Sequence, residues 1–194
     1  MPKVVSGYKE AAKARIIGAA IEVFTQKGFG RSTMDEVAKK VGVSKPALYR
    51  YFPSKEALLE AVFEGSQARL RELLASSFQG RNLQTGVKVL FESLDATYGS
   101  RYDLILEWFA TAARDDRLRK LIREDGERDI ATVTGFITEQ KRKGSLRTKA
   151  RARTLAQIFE TAWTGAWIRL AMGHDRDEVV QSLQDLVALA EAGR

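Results

Sequence analysis

Apolar residues in the first third of the chain recur at three- and four-residue spacing rather than in alternation. Between about residues 9 and 27, Ile16, Ile17, Ala20, Ile21 and Phe24 share one side of a helical wheel, and Gly28 supplies a left-handed stop. Thr33 with Glu36 three positions later forms a capping box, and Met34, Val37, Ala38 and Val41 mark one face of a short second helix that Gly42 closes. Ser44 caps a third helix, in which Pro46 is tolerated because first-turn amides have no partner within a helix. Pro53 disfavours helical geometry at Phe52 and so ends it, and Ser54 starts a long fourth helix toward Phe78. No proline follows Pro53, and helical periodicity continues over about 83–98, 102–114, 117–141, 149–172 and 177–191. Without strand-like alternation or hairpin turns, the pattern predicts an all-α fold of about nine helices.

Charge divides this chain more sharply than hydrophobicity does. The formal charge is +7; residues 1–55 hold 11 Lys or Arg against 4 Asp or Glu, and residues 56–194 hold 21 against 21. A basic block joined to a neutral body predicts two parts, 1–55 and 56–194, the first facing a polyanion. The most apolar stretch, 154–172, contains Glu160 and Arg169, so no bilayer span is expected. Lys3 is followed by only two apolar residues before Ser6 and Gly7, too few for a secretion signal, which predicts a cytoplasmic protein. The absence of cysteine and the single histidine, His174, argue against disulfides, thiolate chemistry and metal clusters; no cofactor is expected. An enzyme is disfavoured too, since no nucleophile–base set or phosphate-binding glycine loop stands out.

The second and third helices with their glycine turn have helix-turn-helix proportions, the second member (about 44–51) being of the kind that enters a major groove. The run from 32 to 62, STMDEVAKKVGVSKPALYRYFPSKEALLEAV, resembles the DNA-binding domain of the tetracycline-repressor (TetR/AcrR) family, notably in GVS, LYRYF and SKEALL. The resemblance extends over roughly residues 9–62. It implies contact with double-stranded DNA by Thr33, Ser44, Lys45, Pro46, Ala47, Tyr49, Arg50 and Lys55. The residue types agree: cations and hydroxyls suit phosphates, helix starts offer free amides, and Arg50 suits a guanine edge. Pro46 and Ala47 stand where that motif often has glycine and threonine, which removes polar options and leaves Ala47 an apolar contact to a thymine methyl.

The resemblance further implies a body, 56–194, that binds a small-molecule effector and forms a homodimer. Aromatic residues on the helices that line cavities in similar proteins are Phe91, Tyr98, Tyr102, Trp108, Phe109, Phe136, Trp163 and Trp167; each is equally readable as core. Apolar stripes on the last two helices, Leu155, Ile158, Phe159, Ala162, Ala166 and Leu170, then Val179, Leu183, Leu186, Val187 and Ala190, suit a symmetric four-helix interface or a monomer core. The basic run from Lys141 to Arg153, seven cations in 13 residues, reads as a solvated turn. A repressor released from its operator by a small molecule is the reading these features favour; a DNA-binding module whose body serves only assembly is the alternative.

Overall fold

In the computed structural model, backbone is described for residues 3–98 and 102–192, and the side chains of 3–7, 25, 97, 98, 103 and 104 lie outside the described residues. Nine helices are described, without a strand: α1 (Lys3–Lys27), α2 (Met34–Val41), α3 (Lys45–Tyr51), α4 (Lys55–Phe78), α5 (Leu83–Tyr98), α6 (Tyr102–Ala112), α7 (Asp116–Arg142), α8 (Ala152–Ala171) and α9 (Arg176–Ala192). This is the expected all-α architecture. The main departures are at helix starts: α1 begins at Lys3 rather than near residue 9, and α8 begins at Ala152 rather than Lys149, which leaves 143–151 as a non-helical segment. None of the described helices is long and apolar enough to cross a membrane.

The chain separates into two compact units, Met1–Ser66 with Glu107–Leu121, and Gln67–Leu106 with Ile122–Arg194. In the first, α1 packs on α2 and α2 on α3. Ile16, Ala20 and Phe24 of α1, Val37 of α2 and Leu48 of α3 are almost completely buried, so each short helix is held by a few apolar side chains rather than by propensity. The Phe24 and Phe29 rings meet edge-on, centroids 5.3 Å apart. Gly28, at φ 79°, sends its amide back to the Phe24 carbonyl and reverses the chain after α1.

In the second unit α9 packs against α5 and α8. One cluster joins Phe91, Ala166, Val179, Val180 and Leu183, and another joins Leu73, Leu74 and Leu90. Trp163 packs against both. A polar network links α4 to α7: Gln67, almost fully buried, donates its amide to the carboxylates of Asp125 (3.2 Å) and Asp129, and accepts from the Thr132 hydroxyl (3.4 Å). Burial first, and the neighbouring Asp125 charge second, push the Asp129 carboxyl up to about 6.

Candidate nucleic-acid interface and cavity

In the first unit, the local chemistry of α2 and α3 leaves one set of side chains facing water. Thr33 accepts from the Glu36 amide (3.3 Å) while Glu36 accepts from the Thr33 amide (2.9 Å), the reciprocal box that the sequence predicts. Lys27 ion-pairs with Glu36, and this hydrogen bond, with that from the Thr33 amide, holds the Glu36 carboxyl below its ordinary range. The α2 start therefore carries no uncompensated acid that would repel a phosphate. Gly42, at φ 79°, and Val43 both return their amides to the Ala38 carbonyl at 3.0 Å, closing α2 and aiming the chain into α3. Ser44 caps α3 by accepting from the Ala47 amide at 3.3 Å.

Leu48 is the buried anchor of α3, and with it turned inward Lys45, Pro46, Tyr49 and Arg50 are exposed and Ala47 is half-buried. The Lys45 ammonium lies 2.8 Å from Asp35 in the first turn of α2, which brings the two helix starts together with Thr33 and Ser44. That hydrogen bond raises the Lys45 pKa. Both partners are more than half exposed, so an arriving phosphate competes with Asp35 for a solvated cation. Arg50 has no ion-pair partner among the described residues. Arg31 and Lys39, exposed near the start and end of α2, were not singled out by the motif comparison; their charge was the signal available.

Lys55 departs from the expected phosphate contact. Its ammonium donates to the carbonyls of Phe29 (2.6 Å) and Ser32 (3.0 Å), reaches that of Gly30 at 3.4 Å, and sits 4.3 Å from the Phe29 ring centroid. An ammonium has three donors, and the 29–32 turn offers it three carbonyls. Burial lowers its pKa. At the first position of α4 its ammonium lies over the Phe29 ring, where carbonyls of the turn stand in for water.

The second unit contains a half-open cavity of about 350 Å³. Leu74 and Phe78 of α4, Val87 and Leu90 of α5, Val133 and Phe136 of α7, Leu146, Thr148 and Ala150 of the 143–151 segment, and residues of α8 and α9 line it. Of the eight aromatic residues expected at an effector site, Phe136 lines this cavity. Phe91, Tyr102, Trp163 and Trp167 instead pack on one another, Phe91 edge-on to Trp163 at 5.5 Å and Tyr102 tilted against Trp167 at 5.5 Å, within the unit. Trp108 belongs to the first unit, edge-on to Phe63 at 5.5 Å, and Phe109 is exposed there. The Tyr98 side chain lies outside the described residues.

The residues expected at a dimer interface also separate. Ala166, Val179 and Leu183 are buried in the unit's own core, with Ala162 and Leu170 packed against them. Leu155, Ile158, Phe159, Leu186, Val187 and Ala190 line the cavity. Amphipathic spacing identifies an inward face without saying whose interior it meets. The exposed large apolar residues of α8, its C-cap and α9 are Ile158, Ile168, Met172 and Leu189, of which only Ile158 was anticipated.

Residues 16–62 match the model of a family described as bacterial regulatory proteins, tetR family. The HTH-type transcriptional regulator YfiR of Bacillus subtilis is 25% identical over 197 residues, all of this chain and 93% of that protein. A TetR-family transcriptional regulator from Mesorhizobium loti superposes with a TM-score of 0.73 at 21% identity, over 95% of this chain and 96% of the other. Thermus thermophilus FadR, a TetR-family transcriptional repressor solved in complex with lauroyl-CoA, superposes at 0.65 with 25% identity over 91% and 93% of the two chains. Taken with the capped α2–turn–α3 geometry, these likenesses show that residues 16–62 are similar to the tetR-family model and that the chain shares its fold with solved TetR-family regulators.

Proposed function

We propose that the chain acts as a homodimeric repressor that binds a palindromic operator through residues 1–55 and is released by a small molecule bound within 56–194. The observation that carries the DNA half is the exposed patch formed by the α2 and α3 starts. Thr33, Ser44 and Lys45 meet the sugar-phosphate backbone, while Ala47, Tyr49 and Arg50, with Pro46 beside them, enter the major groove. Lys55 fixes the turn behind them. A single module of this size covers little DNA, so a second copy is required for specific binding, its recognition helix about 34 Å away or a multiple of that.

For the dimer, α8 and its C-cap offer Ile158, Thr161, Gly165, Ile168 and Met172 at helical spacing. A Cβ built at Gly165 meets nothing within 4 Å, so a facing helix has room for close approach. An apolar stripe with a small residue at its centre suits the same stripe of a second copy across a two-fold axis. In support of the effector half stand the cavity of the second unit and the acyl-CoA held by the similar FadR fold.

The test combines selection of operator fragments from genomic DNA with sedimentation of the free and bound protein. The expected result is a salt-sensitive complex of two copies on a palindrome, converted to monomer and weakened by Ile168→Glu. Absence of salt-sensitive binding to any duplex refutes the DNA reading. Unaltered self-association in Ile168→Glu refutes the α8 interface.

A further inference from the structure

The cavity of the second unit and the cationic segment beside it belong to one piece of chain. Residues 146–151 alternate: Leu146, Thr148 and Ala150 line the cavity, while Arg147, Lys149 and Arg151 are exposed. Ion pairing divides the seven cations between Lys141 and Arg153 along the same line. Arg142 and Lys143 pair with Glu139, Arg153 pairs with Glu127 at 2.7 Å, and Lys141 donates to the Ala150 carbonyl at 2.7 Å. Arg147, Lys149 and Arg151 have no ion-pair partner among the described residues. Among the described residues, these three are the cations of the run that neither a carboxylate nor a carbonyl holds, and they alternate with the cavity wall.

The cavity itself selects strongly. Thr148 is the one polar side chain among its lining residues, and the Thr148 hydroxyl already accepts from the Ala150 amide at 3.2 Å. A polar or charged group taken deep inside would lose its water without replacement, whereas a hydrocarbon chain would lose nothing and gain contact. About 350 Å³ lies at the lower end of small-ligand sites, room for a chain rather than a fused-ring body with polar substituents. From the apolar interior and the unpaired cations that alternate with its lining residues in the 146–151 segment, we propose that this site binds a soluble anionic amphiphile, a long-chain carboxylate, with the alkyl tail in the cavity and the charged head beside Arg147, Lys149 and Arg151. This rests on the effector reading above and names its ligand class. The recognition is complementary in both parts: apolar surface for the tail, point charges and one guanidinium fork on either side of Lys149 for an oxyanion.

The experiment titrates the full chain with dodecanoate, dodecanol and butyrate, each below its aggregation limit, with uptake counted by native mass spectrometry. The expected result is one dodecanoate per chain, bound about tenfold more tightly than dodecanol, with no uptake of butyrate. In the triple variant Arg147→Gln, Lys149→Gln, Arg151→Gln, all exposed positions, dodecanoate falls to the level of dodecanol while dodecanol is unchanged. Val133→Phe, which fills the cavity, abolishes both. Equal binding of dodecanoate and dodecanol by the parent protein overturns the head-group assignment. So does uptake of neither ligand. Uptake confined to a monomeric Ile168→Glu form shows instead that a second copy occupies the groove, and binding to anionic vesicles without uptake of soluble dodecanoate shows a lipid surface; each overturns the proposal. DNA release by another compound with no dodecanoate uptake overturns it and leaves the effector reading standing, whereas dodecanoate uptake without DNA release does the reverse.

Discussion

Replacing Lys55 by methionine keeps an unbranched apolar stem over Phe29 and removes only the ammonium, so it isolates what the three carbonyl contacts do. Hydrogen bonds to a charged donor contribute about 1.5–3 kcal/mol each where they are made, and a cation over an aromatic face about 0.5–2 kcal/mol. Against this stands the desolvation of the ammonium, visible in its lowered pKa, and the partial access of water to the turn. The balance is a net loss of about 2 kcal/mol in the stability of the first unit, read as a lower urea midpoint at unchanged slope. Operator affinity falls too, because the 29–32 turn sets where Thr33 and the α2 start stand. The informative quantity is the salt dependence. A residue that neutralises a phosphate contributes about 0.9 to the slope of log K against log salt, and a residue that only holds a turn contributes none. Lys55→Met should therefore weaken binding at every salt concentration with the slope retained. A variant of parental stability whose slope drops by about 0.9 per copy would show that Lys55 leaves the carbonyls for DNA and would refute the clamp.

Arg50→Ala, by contrast, should leave stability within about 0.5 kcal/mol, because the side chain is exposed and unpaired. It should relax preference at one or two base positions by about 1–3 kcal/mol in a competition assay with substituted operators. Gly28→Ala should destabilise the first unit by about 1–2 kcal/mol on thermal unfolding: φ is 79°, and the added methyl would overlap the Glu107 carboxylate, which must swing away. Asp129 carries a pH signature. Its carboxyl is raised from 3.8 to about 6 by burial, so the native state keeps a proton that the unfolded chain releases near pH 4; the associated stability is complete below about 4 and is lost as pH rises through about 6. Asp129→Asn should remove that dependence and melt higher than the parent at pH 7.5 by an amount equivalent to about 1–3 kcal/mol, with little difference at pH 4. Equal melting at pH 7.5 would show that the Gln67 and Arg128 side chains fully compensate the charge.

What the sequence made legible was local. The Thr33–Glu36 box, the Gly42 turn, the Ser44 cap and the Pro53 stop each depend on residues within four positions of one another, and each stands where the pattern puts it. The helical periodicity of α4 to α9 was equally readable, because burial of one helix face leaves a mark whatever lies against it. What that mark does not carry is the partner. Val179 and Leu183 carry the same signature as Leu186 and Val187, yet the first pair is buried in the core and the second lines a cavity. The aromatic residues show the same ambiguity: Phe91, Trp163 and Trp167 are large apolar side chains that pack on one another rather than line the cavity, and size alone does not separate the two places.

Charge shows the same limit and also a way past it. The sequence counts cations, and the fold sorts them into spent and free. In the first unit Lys27 is held by Glu36, Lys40 by Glu22 and Lys55 by backbone carbonyls, so the +7 excess of residues 1–55 does not say which cations a duplex would meet there. Lys45 is shared with an exposed Asp35, and Arg50 and Lys39 are left free. Between 141 and 153 the same sorting leaves Arg147, Lys149 and Arg151. The number of phosphates neutralised by each copy should then follow the free and shared cations of α2 and α3, not the net charge, and the salt slope per copy should fall well short of the seven-charge value. A slope near seven times 0.9 per copy would mean that cations outside the free and shared ones of α2 and α3 also meet phosphates, and would refute this assignment.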